Sequence, residues 1–177
     1  MAPPLTGWTY YKQLDYSNQS LSAAFSNKVV VVRITSAETA FWSHVKSDGT
    51  DVRFTATDGT TLLNFEIRKF DYAGTDAIYH VQVPTFNASA VTSILLQYGN
   101  AAATSGESIT ATWTSAYRGA WHLDQNKAAG AFADSTSNAN NGTNNGTTDA
   151  AGQIGRGRQF TQASSQYISL PDANSLS

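Results

Sequence analysis

Hydrophobic and polar positions alternate most cleanly on either side of two Asp-Gly pairs, Asp48-Gly49 and Asp58-Gly59. Val52 and Phe54 alternate with Arg53 and Thr55; past the second pair, Leu63, Phe65 and Ile67 alternate with Asn64, Glu66 and Arg68. Period-two alternation flanking a turn that supplies positive φ predicts a half-buried β-hairpin. Trp8, Tyr10 and Lys12 alternate with Thr9, Tyr11 and Gln13, which predicts a first strand with aromatics on both faces. Val29 to Ile34 is a β-branched run, the pattern of a strand buried on both faces. Further strands are predicted over Ile78 to Val83, ending at Pro84, over Ser93 to Tyr98, closed by Gly99-Asn100, and over Ser108 to Thr114. Phe41, Trp42 and Val45 fall at helical spacing and predict one short helix within Glu38 to Lys46. Seven or eight short strands punctuated by turns predict an all-β protein, an antiparallel β-sandwich, and exclude a helical bundle.

Near Tyr117 the texture changes. Ala120 to Asp124 reads as a short apolar strand, followed from Ala128 to Gly152 by Ala, Asn, Gly, Ser and Thr. Such low complexity is compatible with a disordered linker. Strand-like text returns at Arg158 to Phe160 and at Gln166 to Leu170, and isolated two-stranded elements need further partners. The expected division is residues 1–116 and residues 117–177.

Composition narrows the function. Of 177 residues, 41% are apolar and only 14% charged, with a formal net charge of −2. A core of useful size is available, while the surface is left to Thr, Ser, Asn, Gln and Gly, which suits adhesion or assembly. Without a basic run the electrostatic footprint of nucleic-acid binding is missing. With no cysteine, a disulfide framework and a thiolate metal site are both excluded. The opening MAPPLTGW lacks the basic and apolar regions of a signal peptide, and no apolar run nears the roughly 20 residues that span a bilayer. The expectation is a protein that acts inside the cell, leaves by assembly into a virion, or has lost a signal.

Candidate chemistry is sparse. Glu66 and Asp71 could pose as a glycosidase pair, but alternation turns Glu66 away from Phe65 and Ile67 towards solvent, where Arg68 and Lys69 favour an ordinary ionised carboxylate. His44, His80 and His122 sit in three separate elements without zinc-site spacing. Asp134, Asn138, Asn140 and Asn141 gather oxygen donors within one loop, which suits calcium. The competing reading is a solvated Asn/Gly turn, since the EF-hand order is missing; Asp124 would contribute only if its strand end folds back. Trp8, Tyr10, Tyr11, Trp42, Tyr72 and Tyr98 offer aromatic faces that serve either a core or a sugar platform. Trp42, in the least regular segment, is expected to be exposed; with Tyr72 it forms the candidate glycan site.

Four phrases in order, DGTDVRF, TDGTTLLNFEIRKFD, HVQVP and ILLQYGN, resemble the bacterial domain family DUF2341, over roughly Trp8 to Trp113. The chain departs from that pattern at Phe70, where Trp is commoner, and at Leu95 to Gln97, where a Tyr is usual. GAWHLDQ, ADSTSNANNGT, AGQIGRGRQF and SSQYISLPD resemble the opening of a laminin-G-like, concanavalin-A-like jelly roll, of which only the first strands are present. The resemblances imply a non-catalytic surface β-sandwich protein, with glycan or protein ligands and calcium for the second part. The expected setting is a phage virion component (head decoration, fibre or tail protein) or a cell-surface protein, homo-oligomeric, partnered by other virion or surface proteins and by a glycan, and by neither nucleic acid nor membrane. The alternative is a carbohydrate-binding module of a secreted or periplasmic bacterial protein.

Overall fold

The computed structural model describes residues 4–17, 21–123, 131–152, 156–171 and 174–176. The chain forms two compact units, Met1–Thr112 and Trp113–Ser177. Among the described residues, no helix is long and apolar enough to cross a membrane.

The first unit is an antiparallel β-sandwich. One sheet has the order β1 (Tyr10–Tyr16), β7 (Thr92–Tyr98), β3 (Arg53–Thr55), β4 (Leu62–Leu63). The other has the order β2 (Phe25–Ile34), β6 (Asp76–Phe86), β5 (Phe65–Asp71). Alternate side chains from both, among them Val32, Ile34, Phe54, Phe65, Tyr79, Val81, Ile94 and Leu96, form the buried core. Phe54, Phe65 and Tyr79 meet edge to face, with centroids 5.3 to 6.2 Å apart, the geometry that ring quadrupoles favour. The hairpin predicted about Asp58-Gly59 is β3–β4, with Phe54 opposite Leu63, but its second strand ends there: the run breaks at Asn64, and Phe65 and Ile67 belong to β5 in the other sheet. The hairpin turn is held by the Asp58 carboxylate, which accepts from the backbone N–H of Thr60 and of Thr61 at 2.8 Å, while Gly59 adopts a φ of 77°.

Three other predicted elements of the first unit differ. The β2 run is not buried on both faces: Val32 and Ile34 point into the core, but Val31 is 43% exposed on the outer face, where Ile109–Thr112 packs against β5 and β6 instead. Strand β6 passes through Pro84 and continues to Phe86; opposite Pro84, which has no N–H to donate, lies Asn27 with a φ of 52°. The predicted strand over 108–114 is instead the short helix α2 (Ile109–Thr112). Its carbonyls are claimed by side chains of β6 and of the β4–β5 link: the Gln82 amide donates to Ala111 O and Thr112 O, and the Asn64 amide to Ala111 O. The predicted helix before the hairpin is present as α1 (Thr39–His44).

The second unit holds β8 (Ala131–Phe132), β9 (Gly142–Asn145) and β12 (Tyr167–Ser169) in the order β12-β9-β8, and the pair β10 (Thr148–Ala151) with β11 (Arg156–Gln159). The described part of the Asn/Gly-rich stretch is therefore folded into strands and turns. In place of the strand predicted over 120–124, Trp121 makes an isolated antiparallel bridge to Asp134; Asp124 lies outside the described residues. Arg158 stacks its guanidinium over Phe132 and donates to Thr147 O and Oγ1, filling the interior that apolar residues leave open.

Candidate functional site

The Asp-Gly and Tyr-Gly-Asn phrases converge in space on Asp51, which is fully buried. One carboxylate oxygen accepts from Lys46 N at 3.0 Å; the other accepts from Gly99 N at 2.7 Å and Asn100 N at 3.2 Å. Gly99 holds a φ of 85°, and a Cβ there would lie 2.5 Å from the Tyr10 ring, so the turn after β7 requires glycine on both counts. Trp8 closes the cluster, donating Nε1–H to Asp51 O and lying under the Arg53 guanidinium. Arg53 in turn donates to the carbonyls of Thr50, Val52 and Thr104. Burial lowers the Arg53 pKa, against the opposing pull of the Asp51 charge. Every donor and acceptor here points at the chain itself, so the cluster ties β1, β3 and β7 together.

Glu66 is not the solvent-facing carboxylate predicted from alternation. It is 2% exposed, its Oε1 accepts from Arg68 at 2.9 Å, and His80 Nδ1 lies 3.8 Å from its Oε2. It does face away from the core, but α2 packs on the outer face of β5 and β6, so outward here does not mean solvent. Asp71 lies at the far end of β5 and caps the β5–β6 turn through Gly74 N. The two do not form a carboxylate pair across a cleft.

Trp42 is a correction. It is buried, donates Nε1–H to Thr35 O at 2.8 Å, and packs edge-on to Phe41. Helix α1 lays these two rings on the core, which is why its helical spacing was visible in the sequence. Tyr72 is 41% exposed on the β5–β6 turn, with its ring edge-on to Trp42 at 6.2 Å. Of the two candidate glycan residues, only Tyr72 presents a ring to solvent.

The proposed calcium ligands are committed elsewhere. Asp134 is 8% exposed; Oδ1 accepts from Ala120 N and Thr136 N, and Oδ2 from Thr136 Oγ1 and Asn140 N, all at 2.9 to 3.0 Å. Burial raises its pKa, but those four donors outweigh it and the net direction is down. Asn141 Oδ1 accepts from Asp134 N, while Asn138 donates its amide to Arg118 O at 3.0 Å. Four protein donors occupy the lone-pair positions a cation would need, so Asp134 organises the loop as an anion among N–H groups.

A groove in the first unit escaped the sequence reading. It opens where β6 runs on past Pro84, beside the two-residue β4 and the start of β7, and has a volume of about 260 Å³. The one signal in the sequence was Pro84 itself, because a proline tolerated inside a strand marks a place where ladder pairing lapses.

The fold defines an all-β sandwich protein with the buried carboxylates Asp51, Glu66 and Asp134. The chain belongs to the family described as Domain of unknown function (DUF2341), whose model matches residues 48–144, more than half of its length. The match starts later than Trp8 and runs past Trp113 into the second unit. No curated protein and no solved structure matches the chain.

Proposed function

We propose that this chain is a non-catalytic structural and adhesive surface protein, in the first instance a phage virion component such as a head-decoration, fibre or tail protein. The observation that carries this is the internal use of the charged signature residues. Asp51 has both oxygens filled by backbone N–H groups, and Glu66 is ion-paired to Arg68, so neither is poised as a nucleophile or a general base. The remaining surface is hydroxyl, amide and aromatic, with a formal net charge of only −2, which favours contact over electrostatic steering. The second unit is read as the opening strands of a laminin-G-like jelly roll, supported by the short β8–β12 strands and by exposed Phe160, Tyr167 and Leu170. A homo-oligomer displaying this unit towards a glycan fits that surface.

The test is the native mass and setting of the protein in its natural source. Fixed copy number in a purified particle supports the virion reading, whereas recovery as a free monomer that binds a polysaccharide column refutes it. The second reading, a carbohydrate-binding module, is favoured by Tyr72, whose exposed ring is backed by buried Trp42. Loss of column binding in Tyr72→Ala would support that reading.

A further inference from the structure

The groove beside Pro84 has a floor of Leu63, Val83 and Ile94, and a lip that includes Thr57, Thr85 and Asn87. No ionisable side chain lines it. Two carboxylates lie next to lining residues: Asp58 turns back onto Thr60 and Thr61, and Asp15 accepts from the Ser93 hydroxyl at 2.6 Å. Thr57 and Thr85 are exposed, and among the described residues their hydroxyls make no side-chain hydrogen bond.

These features select a ligand by chemistry. An anionic ligand would give up hydration without meeting a counter-charge and would face the Asp15 carboxylate behind Ser93. A wholly apolar one would cover the lip hydroxyls and return no hydrogen bond. A ring with an apolar C–H face and a hydroxyl-bearing edge answers both floor and lip. The volume lies just under the range of small-ligand pockets, about 300–1,000 Å³, and suits one ring better than several. We propose that this groove binds a single ring of a neutral saccharide, one carrying neither carboxylate nor sulfate. The proposal rests on the non-catalytic, adhesive reading given above, and it places a glycan contact in the first unit, apart from Tyr72.

The full chain would be applied to an array that carries neutral glycans beside their sialylated and sulfated counterparts. Thr57→Trp, which fills the groove from an exposed turn, and Thr85→Ala, which removes one lip hydroxyl, would be run in parallel. Neutral glycans should bind, with Thr57→Trp weakening them at least about tenfold and Thr85→Ala about two- to tenfold, the range of one hydrogen bond. Should the melting curve show Thr57→Trp misfolded, Thr85→Ala decides. The groove assignment is overturned by a folded wild-type chain that binds no glycan, by preference for charged glycans, or by neutral binding that survives both substitutions. In the last case, loss in Tyr72→Ala would leave the adhesive reading standing while the groove falls.

Discussion

The Tyr79 hydroxyl lies in the sandwich core with no hydrogen-bond partner among the described residues. Burial, reinforced by the Asp51 charge, pushes the phenol far above its ordinary pKa, so it stays neutral. A buried hydroxyl without a partner carries a desolvation penalty that a phenyl ring does not. Tyr79→Phe should therefore be neutral or stabilising by up to about 1 kcal/mol, read as an unchanged or higher urea midpoint at constant slope. Asp58 shows the opposite situation. The Thr61 hydroxyl, then the backbone N–H groups of Thr61 and Thr60, hold its pKa down at about 2. Its folded pKa lies below the unfolded value, so its contribution is present above about pH 4 and fades as pH falls towards 2. In Asp58→Asn, the melting temperature should fall less steeply than in the wild type over that window.

At the scale of the element, what the sequence exposed depended on where each periodic run was satisfied. The β3–β4 hairpin and β7 were legible because Phe54, Leu63, Ile94 and Leu96 meet one core and their turns carry Asp-Gly or Gly-Asn. Residues 108–114 misled because alternation through Ile109 and Ala111 also fits a single helical turn, and only the distant amides of Asn64 and Gln82 choose between them. Gln82→Ala should destabilise the first unit by about 1–3 kcal/mol by orphaning the Thr112 carbonyl and removing one of the two donors to Ala111 O, with hydrogen exchange rising over 109–112. Glu66 and Trp42 were misplaced for a related reason: the pattern shows which way a side chain points, not what lies over it. In the Asn/Gly loop the sequence showed oxygen donors but not the N–H groups that saturate them. Adding calcium should leave the melting midpoint of the chain unchanged, whereas Asp134→Ala should lower stability by about 3 kcal/mol by stripping four donors of their acceptor.

For the whole molecule, the low charge and the absence of cysteine left the functional class open between assembly and binding, and the fold does not reverse that. The family match joins the two compact units, spanning 48–144 across the boundary after Thr112. The recurring family unit therefore includes the beginning of the Asn/Gly-rich segment as well as most of the sandwich.

The outer edge of β5 carries one more consequence. Ile67 N donates to the Glu107 carboxylate at 2.7 Å, and Phe65 O accepts from Ser108 N at 2.9 Å. The chain thus plugs its own strand edge with a side chain and a turn, where a ladder could otherwise continue into a neighbour. Crowded at high local density on a surface, copies of this module would be barred from fusing into fibrils along that flank.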